Sequence, residues 1–131
     1  CGEGDMGACA ETSGGASVWP RVERADTGRQ VATMMGGQGA HAVMRNWCMM
    51  KTQRAMLDAR EIAGAHPRLG GFVMGTSDLA KDLNCAHTPD RLPMMTSLGL
   101  CLLAARAYGL AILDGVHLDL SDDDGFAASC K

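Results

Sequence analysis

Long apolar runs and basic clusters are missing from this sequence of 131 residues. The longest apolar stretch, residues 98–113, is interrupted by Arg106 and is shorter than the roughly 20 residues that a transmembrane helix needs. Lysine and arginine are scattered, the formal net charge is −3, and aromatic residues make up only 4% of the chain. A nucleic-acid-binding surface is therefore not predicted. We expect no membrane span, no nucleic-acid partner and a small molecule as the ligand.

Closely paired cysteines are missing as well. The chain has 6 cysteines, but none form a CxxC pair or a closely spaced Cys/His group of the kind that binds zinc. Several lie in apolar runs, where a thiol packs as a small apolar group, so reduced thiols are expected. No signal peptide is recognisable, which favours a cytoplasmic location. The chain starts at Cys1 rather than Met and ends at Lys131 in the first turns of a predicted helix, so we expect a segment of a longer protein.

What the chain does have is an alternation of short apolar runs with stretches of helical period. With 47% hydrophobic residues, the chain is predicted to form one globular domain over residues 1–131. Runs that are apolar almost throughout are typical of parallel strands covered on both faces. The pattern predicts an α/β fold with a parallel sheet. The four runs are Ala16 to Val22, Trp47 to Met50, Gly71 to Gly75, and Leu110 to Val116.

Each run is followed by a predicted helix. Asp26 can cap the first, and the second is expected over residues 53–64, with one apolar stripe. A short third helix carries Leu79 and Leu83. The fourth is predicted to start at Thr88-Pro89-Asp90, with Thr88 as the cap, and to continue to Gly109.

Candidate site residues are the polar side chains that directly follow the apolar runs. Parallel strands bring their carboxyl ends to one edge of the sheet, where α/β proteins bind their ligands. Any single charge after a strand is more often a solvated loop residue, but four such ends in a row favour a site. These residues are Arg21 and Glu23, Lys51 and Thr52, Thr76 and Asp78, and Asp114, His117 and Asp119.

Several blocks around these residues resemble, in order and spacing, the citrate lyase beta subunit and malyl-CoA lyase group of the HpcH/HpaI aldolase superfamily. They are PRVE at 20–23, CMMKT at 48–52, DAREIA at 58–63, GTSDLAKDL at 75–83 and AARAYGL at 104–110. The block DGVHLD at 114–119, followed by DDDGF at 122–126, is similar to an acidic loop of that group. The resemblance implies a partial (β/α)₈ TIM barrel in which the four runs are strands four to seven. Strands one to three and strand eight have no counterpart, so the barrel domain is incomplete.

The resemblance further implies cleavage of a carbon–carbon bond, of the Claisen or aldol type. The substrate would be a short 2-oxo or hydroxy acid, or its CoA or acyl-carrier thioester. In this group Mg²⁺ binds the acid part of the substrate and stabilises the developing enolate. The metal ligands are a glutamate after strand five and an aspartate after strand six. The aspartate corresponds to Asp78, but the glutamate position is occupied by Lys51.

Lys51 is the largest departure from the group's pattern. A protonated amine does not ligate Mg²⁺ and repels it, so we expect Lys51 to pair with Asp78, Mg²⁺ affinity to be low, and Lys51→Glu to raise it. A single-base change also converts a glutamate codon to a lysine codon, so the sequence leaves open whether Lys51 is genuine. Two functions stay open with it: a Mg²⁺-dependent lyase, or a catalytically inactive fragment or remnant of one.

The remaining assignments carry less weight. By resemblance Arg21 and Glu23 are candidate catalytic residues, although a structural ion pair explains them equally well. Lys51, Thr76, His117 and Asp119 are candidate substrate-binding residues. The run Asp122 to Asp124 reads better as the first turn of a helix, where the dipole favours acids. A sheet that ends at strands four and seven has two unpaired edges, so a homo-oligomer or self-association is expected.

Overall fold

The computed structural model describes residues 45–131, and the sheet in this range has three parallel strands in the order β1-β2-β3. The strands are β1 (Asn46–Met50), β2 (Leu69–Met74) and β3 (Ala111–Leu113). They confirm the predicted α/β fold with a parallel sheet. The first predicted strand and helix, with Arg21 and Glu23, lie outside the described residues. No helix within residues 45–131 is long and apolar enough to cross a membrane.

Helices fill the connections between the strands, because parallel strands need crossover connections that return the chain to the same end of the sheet. Those after β1 are α1 (Gln53–Leu57) and α2 (Ala59–Ala63), and β2 is followed by α3 (Thr76–Asp82). A 3₁₀ turn (Leu92–Met94) leads into the long helix α4 (Met95–Ala107), and α5 (Asp123–Ser129) follows β3.

The core lies between the sheet and the helices. Its largest fully buried side chains come from β1, β2, α2, α3 and the 3₁₀ turn: Met50, Phe72, Ile62, Leu79 and Met94. Burial raises the pKa of the Cys48 thiol and of the Cys101 thiol to about 12, so neither forms a reactive thiolate at neutral pH. The four cysteines of the described range are free, as expected for reduced thiols.

The helix predicted over residues 53–64 is divided in two at Asp58. Asp58 has ψ 10, outside the helical range, and its carboxylate accepts a hydrogen bond from Arg54 Nε at 3.2 Å. The apolar stripe is nevertheless buried as predicted, at Ala55, Met56, Ala59, Ile62 and Ala63. The break in the helix was not visible in its periodicity, because the stripe continues across it.

The predicted start of the long helix at Thr88-Pro89-Asp90 is wrong. Arg91 adopts a left-handed backbone conformation with φ 53, which no helix continues through. Asp90, rather than Thr88, accepts a hydrogen bond from the Leu92 amide, at 3.2 Å. Pro93, rather than Pro89, lies in the first turn. The helix therefore begins some residues later than its sequence signal, and it ends near Gly109 as predicted.

The last predicted strand is shorter than its apolar run, because pairing ends at Leu113. Gly115 has left the sheet and lies against the start of α3. A Cβ atom added to Gly115 would be 2.3 Å from Thr76 Oγ1 and 3.1 Å from the Met74 carbonyl oxygen. Only a glycine allows the chain to pass this close to the end of β2.

We therefore predict opposite stability effects for two glycine substitutions. Gly115→Ala should lower the free energy of unfolding by about 1–3 kcal/mol, because overpacking forces Thr76 and the end of β2 apart. Gly99→Ala, in α4, has open space around its Cβ position and should raise it by about 0.5–1 kcal/mol. Urea unfolding of both variants measures the difference, and equal effects of the two substitutions would contradict the close approach.

Candidate functional site

The parallel register of β1 and β2 brings Lys51 and Asp78 together. Met50 pairs with Met74, and the Gly75 amide donates to the Met50 carbonyl at 2.8 Å, so both strands end at the same level. Lys51 follows β1 directly, and Asp78 lies in the first turn of α3. Lys51 Nζ donates to Asp78 Oδ2 at 2.9 Å. The ion pair expected from the sequence is therefore present at the carboxyl edge of the sheet.

Gly75 leaves room for the base of the Lys51 side chain. A Cβ atom at Gly75 would lie 2.7 Å from Lys51 Cβ, so a larger residue would displace the lysine. The Lys51 side chain is 28% exposed and the Asp78 side chain 59% exposed. Both charges thus face solvent, and their attraction is that of a surface pair rather than of a buried one.

The Lys51–Asp78 ion pair forms part of the wall of a shallow cleft of about 300 Å³. The cleft is lined by Lys51, Thr52, Asp78, Lys81 and Asp82. Asp82 accepts a hydrogen bond from the Gln53 amide at 3.0 Å, which ties α3 to the start of α1. The sequence interpretation missed Lys81 and Asp82. Their spacing of three and four residues from Asp78 on a helix was the available signal, because such positions share one face.

The two threonines at this edge have structural positions. Thr52 is the N-cap of α1, and its hydroxyl accepts a hydrogen bond from the Ala55 amide at 3.2 Å. Thr76 is 2% exposed, and its hydroxyl lies under Gly115. Within the described residues, Thr76 Oγ1 has no hydrogen-bond partner. As a substrate-binding residue, Thr76 would have to be uncovered by movement of the chain at Gly115, so its assigned role stays a prediction.

The donor set in this cleft does not fit Mg²⁺. Magnesium requires oxygen ligands in a nearly octahedral array, commonly with one or two carboxylates facing it. Here an ammonium group bonds to the Asp78 carboxylate and occupies the space that a cation would need. Across residues 45–131, no group of three or more His, Cys, Asp or Glu side chains is arranged to hold a metal ion.

His117 and Asp119 lie elsewhere, in a second cavity of about 530 Å³ that shares no lining residue with the Lys51 cleft. The His117 ring packs edge-on against Phe126, with 5.9 Å between the ring centroids. His117 Nε2 is 3.9 Å from Asp122 Oδ2, too far for a hydrogen bond. The structure therefore does not bring these two predicted binding residues to the Lys51–Asp78 pair.

The acidic run after the second cavity serves the helix that follows it. Asp122 caps α5 by accepting from the Gly125 amide at 2.9 Å, and Asp123 and Asp124 lie in the first turn. This arrangement confirms the helix-start interpretation. Asp114, another candidate, accepts two hydrogen bonds from Arg91 Nη1, which fastens the end of β3 to the turn before α4. This ion pair leaves no local pattern in the sequence, because it joins distant parts of the chain.

Comparison with known protein families identifies the family to which this chain belongs. The sequence profile of the family described as HpcH/HpaI aldolase/citrate lyase matches residues 11–131. The chain belongs to the HpcH/HpaI aldolase/citrate lyase family. A relative from Cereibacter sphaeroides, (3S)-malyl-CoA thioesterase, is 48% identical over 130 residues, which are 99% of this chain and 43% of that protein. The citrate lyase beta subunit of Leuconostoc mesenteroides is 34% identical over 71 residues, 54% of this chain and 24% of that protein.

Solved structures share the fold of this chain. RipC from Yersinia pestis superposes with a TM-score of 0.77 at 21% identity, covering 88% of this chain and 52% of that one. CitE from Mycobacterium tuberculosis, in complex with magnesium, acetoacetate and coenzyme A, gives a TM-score of 0.69 at 28% identity, covering 86% of this chain and 40% of that one. The partial barrel inferred from the sequence is thereby confirmed. The chain spans less than half the length of the malyl-CoA thioesterases that it matches.

The Asp119 carboxylate gives a direct test of the second cavity's geometry. Hydrogen bonds from Ser121 Oγ at 2.7 Å and from the Ser121 amide at 3.0 Å lower the pKa of Asp119. Because the folded-state pKa is depressed, the stabilisation exists above the ordinary aspartate pKa and is lost as the pH falls through the lowered value. Ser121→Ala should raise the Asp119 pKa towards its ordinary value, as followed by NMR titration of the carboxyl carbon.

Ser129→Ala is the matched control, since the Ser129 hydroxyl donates to the Phe126 carbonyl and makes no hydrogen bond to Asp119. That variant should leave the Asp119 titration unchanged. An Asp119 pKa that stays the same in Ser121→Ala would contradict the hydrogen-bonded loop.

Proposed function

We propose that the protein containing this chain cleaves a carbon–carbon bond in a short 2-oxo or hydroxy acid, or in its CoA thioester. Membership of the citrate lyase family supports this reaction class. The names of its relatives and neighbours support the substrate class, since they include malyl-CoA, acetoacetate and coenzyme A. The observation that shapes the proposal is the contact between Lys51 Nζ and Asp78 Oδ2, at 2.9 Å.

In the proposed site, the acid part of the substrate binds in the cleft between the end of β1 and α3. Two lysines and two aspartates line it, Lys51 and Lys81 with Asp78 and Asp82, so the formal charges of the cleft balance. Lys51 is paired with Asp78, whereas Lys81 forms no ion pair with a described residue and can pair with the carboxylate of an anionic substrate. A metal is not needed to bring positive charge to this position, because Lys51 already supplies it. The site therefore differs from one in which two carboxylates would hold Mg²⁺.

The ion pair also supports a second candidate function. If the family's reaction depends on a metal cation at this position, a protein whose own lysine fills the position would keep the fold. It would not turn over substrate. This candidate is a non-catalytic member of the family that binds the acid or thioester. The two candidates differ in whether product forms, and both predict weak Mg²⁺ binding.

Product analysis separates the candidates. With malyl-CoA as substrate, carbon–carbon cleavage releases a free oxo acid and leaves the acyl–sulfur bond of the other product intact, whereas hydrolysis releases the free CoA thiol. We expect the oxo acid without the thiol. Release of the thiol alone would contradict cleavage in favour of thioester hydrolysis, and binding without either product would establish the non-catalytic candidate.

Lys51→Glu should convert the cleft to a magnesium site. The substitution places two carboxylates side by side, whose repulsion a divalent cation relieves. At a Mg²⁺ concentration ten times the dissociation constant, the variant should gain about 1.4 kcal/mol of stability, or roughly 4–6 °C in Tm. Thermal unfolding with and without millimolar Mg²⁺ measures the gain, and the unaltered protein should show no shift.

Lys81→Glu is the matched control for that substitution, because it makes the same change of charge in the same cleft without removing the partner of Asp78. A Mg²⁺ response of the same size in both variants would mean that the cleft's net charge, rather than the Lys51 position, controls metal binding. A folded Lys51→Glu variant that ignores Mg²⁺ would contradict the prediction outright.

We also propose self-association through the edge of the sheet. Among the described strands, β3 pairs only with β2, so its other edge is open. In β3 and the segment that follows it, Leu113 is 47% exposed, Val116 70%, Leu118 61% and Leu120 95%. Exposed apolar side chains and an unpaired strand edge both favour association. We expect a dimer or larger species in sedimentation velocity at micromolar concentration, and a single monomer boundary would count against this.

A further inference from the structure

The long helix α4 is apolar on both of its faces. Of its 13 residues, only Arg106 is charged, and only Thr96 and Ser97 are otherwise polar. One face packs into the core, where Cys101 and Ala105 are fully buried. A helix on a protein surface normally carries charged and polar side chains on its outer face, whereas a helix that is apolar all round is buried. The outer face of α4 therefore has the composition of an interface.

The exposed apolar side chains of this helix lie opposite the core. Leu103 is two residues from both Cys101 and Ala105, which places it about 200° around the helix from them. Leu103 is 70% exposed, and Met95, eight residues earlier, is 55% exposed. Together with Leu92 in the preceding turn, 72% exposed, these residues form one line along the helix. We call Leu92, Met95, Gly99 and Leu103 the α4 stripe.

Neither a closed barrel nor a membrane accounts for the α4 stripe. In a (β/α)₈ barrel the helices form an outer ring around the strands, so further units add neighbours at the sides of α4 and leave the face opposite the strands uncovered. A helix that lies on a membrane surface carries several lysines or arginines on its polar face, whereas α4 has only Arg106. The stripe therefore fits the apolar surface of a protein.

Gly99 lies at the centre of the stripe, four residues after Met95 and four before Leu103. A Cβ atom added to Gly99 would have nothing within 4 Å, so the fold of the described residues gives no reason for a glycine. Alanine is more favourable than glycine inside a helix. The distance between two packed helices depends on the side chains at their contact, so a glycine at the crossing point allows a second helix to approach closely.

We propose that the α4 stripe is a contact between two copies of this chain, with the two α4 helices antiparallel and crossing at Gly99. The stripe is self-complementary, because a two-fold axis at Gly99 places Met95 of each copy near Leu103 of the other. The same axis keeps the two Arg106 side chains at opposite ends of the contact, roughly 20 Å apart. Parallel helices would bring these two charges together, so electrostatic repulsion favours the antiparallel arrangement.

The contact is small, which sets the expected affinity. A helix of 13 residues is about 20 Å long, so one helix from each copy buries less than the roughly 800 Å² per partner of a standard complex. We expect a dissociation constant on the order of 0.1 mM. The stripe has no residue in common with the open edge of β3, so the two contacts can be measured separately.

Sedimentation equilibrium of the full chain tests the contact. Leu113→Lys is introduced throughout, because a charge on β3 suppresses association through the open edge and leaves the α4 contact to be measured alone. In this background the average mass should rise from monomer towards dimer between about 10 µM and about 1 mM protein. A monomer mass over the whole range would overturn the proposal.

Leu103→Lys is the test variant, and Leu57→Lys is its matched control. Both replace a leucine of similar exposure, 70% and 76%, by lysine, but Leu57 lies in α1 and outside the stripe. Leu103→Lys should raise the dissociation constant about tenfold or more, whereas Leu57→Lys should change it less than about twofold. Circular dichroism confirms that both variants are folded. Equal effects of the two substitutions would overturn the assignment of the contact to the stripe.

Gly99→Ala distinguishes an interface from a structural role. The added methyl groups would hold the two helices apart and weaken the dimer, although the same substitution should stabilise the monomer. Urea unfolding well below the dissociation constant measures the monomer, and sedimentation equilibrium measures the dimer. A dimer that is as strong in Gly99→Ala as in the unaltered helix would overturn the crossing at Gly99.

Lipid is the competing occupant of this apolar face. Flotation with vesicles of phosphatidylcholine and phosphatidylserine tests it, and we expect the protein not to float with them. Flotation that Leu103→Lys abolishes would overturn the second copy in favour of a membrane surface. None of these measurements uses a substrate, so their failure is distinguishable from failure of the proposed function.

Discussion

The parallel register between β1 and β2 is the constraint on which the rest of the arrangement depends. Met50 pairs with Met74, and the hydrogen bond from the Gly75 amide to the Met50 carbonyl ends the two strands at one level. Because of this register, the residue after β1 and the first turn of α3 are neighbours, although Lys51 and Asp78 are far apart in sequence. A shift by one residue would turn Lys51 to the other face of the sheet. The site is thus a consequence of strand pairing.

Within that frame, one side chain changes the chemistry that the fold can support. The structure of CitE from Mycobacterium tuberculosis was determined with magnesium, acetoacetate and coenzyme A, and it shares this chain's fold. Here a lysine bonds to the aspartate at the carboxyl edge. A fixed ammonium group supplies positive charge at one point, whereas a metal ion supplies charge and several coordination positions.

Much of the fold and of the Lys51–Asp78 site could be predicted from the sequence, because these features depend on local sequence pattern. The apolar runs predicted β1 and β2, and the ordered blocks indicated the barrel and placed Lys51 opposite Asp78. The predictions that were wrong concerned features that depend on contacts between distant residues. The shortening of β3 follows from the approach of Gly115 to Thr76, and the delayed start of α4 follows from the left-handed Arg91. Neither contact leaves a periodic signal.

Lys51 occupies the position of a cation next to Asp78, and paramagnetic NMR tests this arrangement most directly. Mn²⁺ broadens the signals of carboxylates that bind it, so the protein would be labelled with ¹³C at its aspartate carboxyl groups and titrated with Mn²⁺. We predict that the Asp78 signal broadens no more than that of Asp90, a solvent-exposed carboxylate outside the cleft. Selective broadening of Asp78 at low Mn²⁺ concentration would contradict it, because a cation would then displace the Lys51 ammonium group.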